Sequence, residues 1–193
     1  MPTLYHYSPI AHLPPICREG LSKGDIAHPD LTHNKTAVSL TTQTDPVALA
    51  CWAKPQPRKT AVRYTCRIQD GDLRLLPAVL TWRKNKVSPK AIRRNLDPYG
   101  QARYWYFFHG VITPDMFTVE LRGRCGYVPA SGTDLAQVLE EVSAARDRIE
   151  FVRPPDRPWE LIGKLKKGYE PTPENTWIFS EIYPADRFMA AAA

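Results

Sequence analysis

Short apolar and polar periods dominate this chain. Leu4-Tyr5-His6-Tyr7 is an aromatic run that predicts a strand, and it ends at Ser8-Pro9. Ser8 is suited to cap a helix with Pro9 at its first position, where a missing N–H costs nothing. Ile10, Leu13, Ile16 and Cys17 then recur at helical spacing, and Gly20 ends that helix. Ser22 to Lys35 is polar and reads as a loop. Ala37 to Thr42 is a β-branched run bearing hydroxyls, and Thr44-Asp45-Pro46 starts a helix carrying Val47, Leu49, Ala50 and Trp52.

Beyond the Pro-rich connector 55–59, Thr60 to Ile68 alternates as a strand does and Asp70-Gly71-Asp72 turns it. Leu73 to Leu80 reads as a short strand or an irregular edge. Ser88-Pro89 predicts a short helix with Lys90, Arg93 and Arg94 near one face. Tyr104 to Val111 is an aromatic strand expected at the centre of a sheet, and Thr118 to Leu121 continues extended. Gly123 to Gly132 reads as loop. Thr133 to Ile149 is the clearest helix, with Leu135, Val138, Leu139 and Val142 on one stripe and Glu140 and Glu141 opposite, facing solvent. A short basic helix over 159–167, a connector over 171–174 and a last strand over 177–183 complete the pattern, which is mixed α and β.

The 193 residues fit one domain, taken as 1–189, with the run Ala190–Ala193 read as a frayed tail. At 43% hydrophobic and 24% charged the composition is that of ordinary globular protein, and nineteen prolines argue against a helical bundle. The sequence shows no apolar run of membrane-spanning length and no signal-peptide layout at its start. Four cysteines lack zinc or redox spacing, so a reducing, cytoplasmic setting in a bacterial or host cell is expected. His28, Asp30 and His33 have spacings a metal site uses, but two histidines and an aspartate in a loop are more often simply solvated, and no metal is expected. The net charge of +6 is compatible with an anionic partner without requiring one.

The basic excess concentrates in Arg83, Lys84, Lys86, Lys90, Arg93 and Arg94. This is either a solvated surface or a contact for phosphates, and Trp82, Tyr99, Tyr104 and Trp105 nearby are the residue types that stack on bases.

The segments LYHYSPIAHLPPICREGL, VSLTT and DPVALACWA together resemble the N-terminal half of the ADP-ribosyltransferase superfamily, in its His–Tyr–Glu branch, which includes the DarT-type enzymes. The resemblance covers about a quarter of the chain. It implies an α+β fold with split antiparallel β-sheets around an NAD cleft, flanked by helices. NAD would be consumed as a substrate. His6 would hold the NAD ribose and the nicotinamide amide, Ser39 and Thr41 would shape the nicotinamide pocket, and Trp52 would stack on the ring. Tyr7 and Tyr104 complete the expected cofactor contacts.

Such a chain would be a glycosyl-transferring toxin or phage counter-defence factor, modifying a nucleic acid or a protein that handles nucleic acid. The family pattern also calls for a Glu on a strand about seven residues before Ile-x-Pro. Tyr104 or Trp105 occupies that place on one candidate strand. On the other, Glu181 and Glu174 are the candidates, with Gln101 a further substitute, so the carboxylate stays open between them.

Two other functions fit the same pattern. One is a catalytically silent member of the fold that binds nucleic acid or a partner protein through the basic stretch. The other is an RNA 2′-phosphotransferase-like enzyme, although the arginine expected beside His6 is missing.

Overall fold

The computed structural model describes residues 2–22, 37–45, 60–152, 155 and 162–179. In chain order the elements are β1 (Leu4–Ser8), α1 (Leu13–Glu19), β2 (Val38–Thr41), β3 (Val62–Cys66), β4 (Leu75–Pro77), α2 (Ala78–Lys84), α3 (Pro89–Ala91), β5 (Trp105–Phe108), β6 (Phe117–Gly123), β7 (Gly126–Ala130), α4 (Gly132–Arg146), β8 (Ile149–Val152), β9 (Ile162–Leu165) and α5 (Pro173–Thr176). The content is α+β, with antiparallel strand pairing. The chain clusters into two compact units: residues 1–7, 15–56 and 63–118 form one, and residues 8–14, 57–62 and 119–193 the other.

The first unit is built on strands in the order β4-β5-β2-β1-β3. Tyr5 pairs with Thr41, Ser39 with Phe107, Leu40 with Tyr106, and Leu75 with Phe108. Side chains alternate along a strand and match directly across an antiparallel pair. Leu4, Val38, Leu40, Phe108 and Leu75 therefore share one face, and all are buried. On the other face Phe107 lies under α2, where Ala78, Trp82, Val87, Ile92 and Ala102 complete a core. The Trp82 and Phe107 rings meet edge-on at 6.2 Å. Burying side chains of this size stabilises by roughly 1.5–3 kcal/mol each.

Ser8 behaves differently from the expected cap. It ends β1, and its hydroxyl donates to the carbonyl of Pro9 at 3.0 Å, while a 3-10 turn over Ile10–His12 precedes α1. Gly20 does close α1, in the left-handed region at φ +84°, with its N–H on the Ile16 carbonyl. Ser88 caps α3 as expected, accepting from the Ala91 N–H at 3.2 Å, with Pro89 following it.

The second unit rests on α4, whose buried stripe is Val138, Val142 and Ala145. The β8–β9 pair replaces the basic helix expected over 159–167. Ile149 pairs with Leu165 and Glu150 with Lys164, the latter at 3.1 Å between charges. Strand β7 runs through the segment read as loop, because Gly123 and Gly126 close a two-residue hairpin with β6. The final strand expected from Trp177 begins instead as helix. Thr176 returns both its N–H and its hydroxyl to the Thr172 carbonyl, and a 3-10 turn over Trp177–Phe179 follows with Ile178 buried.

Candidate functional site

β1 brings His6 beside β2. The ring Nδ1 lies 2.9 Å from the Ser39 carbonyl oxygen. A carbonyl only accepts, so Nδ1 carries the proton, and in the neutral ring Nε2 is left with a lone pair. Burial lowers the His6 pKa from its ordinary 6.5, and the Ser39 bond opposes that shift only in part. His6 is thus a neutral, oriented acceptor at physiological pH. Tyr64 on β3, 0% exposed, sets its ring 5.9 Å away at a tilt of 44°, and itself meets Phe117 edge-on at 5.2 Å. Next to them the Cys66 thiol receives a hydrogen bond from the His6 backbone, while burial pushes its pKa up to about 12.

The hydroxyls expected beside His6 are placed otherwise. Tyr5 pairs with Thr41, so alternation puts the Thr41 and Ser39 side chains on the face of β2 opposite to the His6 ring. What β2 offers His6 is the backbone carbonyl of Ser39. The side chain of Tyr106 on β5 pairs across from Leu40 and shares the face of His6.

The opposite face holds Tyr5, Tyr7, Ser39, Thr41, Arg63 and Trp105. Arg63 lies over the Tyr5 ring at 5.1 Å, the Tyr7 hydroxyl donates to the Gln43 carbonyl at 2.8 Å, and Thr41 accepts from the Gln43 N–H at 3.2 Å. Tyr104 precedes β5 in a 3-10 turn, with the Arg103 guanidinium 4.7 Å above its ring and hydrogen-bonded to its hydroxyl.

Tyr64 went unnoticed in the sequence as the ring packed beside the histidine. Its one signal was that it alternates into an apolar row. Trp52 and Glu181 lie outside the described residues, as do His28, Asp30 and His33. Glu174 is on α5. No acid occurs on β1, β2 or β5. Among the described residues no group of three or more His, Cys, Asp or Glu is placed to hold a metal ion, and no helix is long and apolar enough to cross a membrane.

All six cations of the basic stretch are exposed, on α2, on the turn after it, and on α3 with the π-helical turn Ile92–Leu96 that continues it. None of the six forms an ion pair with a described residue. Of the aromatic residues nearby, Trp82 is 5% exposed and committed to the core, whereas Tyr99 is 66% exposed and open to stacking.

No family model matches this chain, and neither the curated proteins nor the solved structures contain a match to it.

Proposed function

We propose that this chain is an NAD-dependent mono-ADP-ribosyltransferase, of the split-sheet fold that its opening segments resemble, acting on a nucleic acid or a nucleic-acid-handling protein. One observation carries the reading. β1 and β2, which bear the first two motif positions of the resemblance, run side by side, and His6 is tied to β2 through the Ser39 carbonyl. Breaking the nicotinamide–ribose bond builds positive charge on the ribose. A neutral imidazole with Nδ1 occupied presents Nε2 to accept from a ribose hydroxyl, holding the sugar without adding a cation where charge develops. The carboxylate that would stabilise the charge stays open between Glu181 and Glu174. Such a preorganised group contributes about 10²–10³ in rate.

The test is transfer of label from NAD to mixed DNA, RNA and protein targets. Incorporation is expected in the wild type, absent in His6→Ala, and strongly reduced in Glu181→Gln or Glu174→Gln. Transfer that survives His6→Ala overturns the assignment.

A second reading is favoured by the acid-free β5 and the six exposed cations that pair with no described residue: a catalytically silent protein that binds nucleic acid through α2 and α3. Salt-sensitive oligonucleotide binding without NAD turnover would support it. Binding that persists after Lys90, Arg93 and Arg94 are reversed in charge excludes it.

A further inference from the structure

Away from His6, the first unit holds a cleft of about 290 Å³ lined by Leu73, Leu76, Thr81, Lys84, Asn85 and His109. Thr81 and Lys84 of α2 and its C-cap Asn85 share one face, because Lys84 and Asn85 lie three and four positions after Thr81. Thr81 is 1% exposed and its hydroxyl makes no hydrogen bond with a described residue. A threonine inside a helix ordinarily returns its hydroxyl to a carbonyl of the preceding turn. Here that bond is missing, and a buried polar group has been left without a protein partner, which opposes folding unless something else satisfies it.

The remaining lining defines what that partner would be. Lys84 brings an exposed ammonium, Asn85 an amide, and His109 an imidazole, while Leu73 and Leu76 form an apolar lip. No carboxylate lines the cleft among the described residues. The nearest acid in sequence, Asp72, is engaged by Arg74 through bonds of 3.0 Å to Oδ1 and 2.7 Å to Oδ2, which also hold its pKa below the usual carboxylate range. A lining rich in donors, with one cation and no free acid, disfavours a cation or an amine and suits an oxyanion.

We infer that this cleft is a binding site for a phosphate group, held by the Thr81 hydroxyl, the Lys84 ammonium and the Asn85 amide. The inference is independent of the transferase reading, since it uses neither His6 nor NAD. The phosphate has two possible sources. It is carried by a free mononucleotide or inorganic phosphate, or it belongs to the backbone of a strand lying along the basic stretch, of which Lys84 is a member.

The experiment measures affinity by calorimetry for inorganic phosphate, a nucleoside monophosphate and a short single-stranded oligonucleotide, all at one ionic strength. The proteins are wild type, Thr81→Val, Lys84→Gln and, as a control outside the cleft and the basic stretch, Lys167→Gln. At least one phosphate probe is expected to bind about tenfold more weakly to both Thr81→Val and Lys84→Gln. Thr81→Val should not lower the melting temperature of the free protein, because the hydroxyl has no partner to lose. Inorganic phosphate or the monophosphate behaving this way, with equal binding to Lys167→Gln, identifies a free ligand. The oligonucleotide alone behaving this way identifies a backbone phosphate. If no probe loses affinity in Lys84→Gln, or none loses it in a folded Thr81→Val, the inference is overturned. Lys84→Gln alters an exposed side chain, so it keeps the test decisive even if Thr81→Val fails to fold.

Discussion

His6 shows how one desolvated ring makes the fold sensitive to acid. Its folded-state pKa lies below the unfolded value of about 6.5, so the unfolded chain binds the extra proton first as pH falls. The stabilisation is complete above about pH 6.5 and is lost progressively below it, toward the lowered folded value. In His6→Gln this dependence disappears. The gap in melting temperature between wild type and His6→Gln should therefore narrow as pH falls from about 8 to about 5. A gap that stays constant would mean the ring is not desolvated in the folded state. Thiols test the same kind of burial in the opposite sense. Cys17 and Cys66 have pKa values pushed up to about 11 and about 12 by burial, while Cys125 is exposed. At about pH 8, iodoacetamide should label Cys125 first, Cys17 more slowly, and Cys66 only after unfolding, as peptide mapping would show.

At the scale of elements, glycines separate a tight contact from an ordinary turn. A Cβ on Gly20 would stand 2.5 Å from the Ile112 carbonyl oxygen at φ +84°, where the Leu21 and Ile112 backbones exchange hydrogen bonds of 2.9 and 3.0 Å. Gly126 also has a positive φ, at +122°, but nothing lies near its Cβ position. Gly20→Ala should cost about 2–4 kcal/mol and Gly126→Ala about 1 kcal/mol, measured by urea unfolding. Equal costs would show that the close approach to Ile112 contributes nothing. The end of α1 at Gly20 was legible in the sequence because a glycine after a helical period has a local cause. Strands β1, β2, β3 and β5 were legible through β-branched and aromatic alternation. β9 was not, since the four residues Ile162–Leu165 become a strand only through pairing with β8, and their basic surroundings suggest helix equally well. The facing of the Ser39 and Thr41 hydroxyls was hidden on the same ground. Alternation gives two faces to every strand, but which face of β2 meets His6 depends on register, and a one-residue slip exchanges them. The Tyr5–Thr41 pairing turns the Ser39 and Thr41 hydroxyls away, and a backbone carbonyl, to which any residue type contributes, takes their place.

At the scale of the molecule, the net charge of +6 matters less than where the cations stand. Arg83, Lys84, Lys86, Lys90, Arg93 and Arg94 all fall on one short stretch of the first unit and all reach solvent. If each replaces one counterion on a single strand, the logarithm of affinity should fall against the logarithm of salt concentration with a slope of about −4. Reversing Lys90, Arg93 and Arg94 removes half of those contacts and should bring the slope to about −2 or less. Tyr99 reports on a different force. Its exposed ring lies close in sequence to the cations, and stacking on a base is worth about 1–3 kcal/mol without releasing ions. Tyr99→Ala should thus weaken oligonucleotide binding by about tenfold while leaving the salt slope unchanged. Trp82→Phe, at a ring already sealed in the core, should change neither. Fluorescence anisotropy with a labelled oligonucleotide across a salt series separates the two forces. A slope near zero in the wild type would show that the basic stretch is only a solvated surface, whatever its charge.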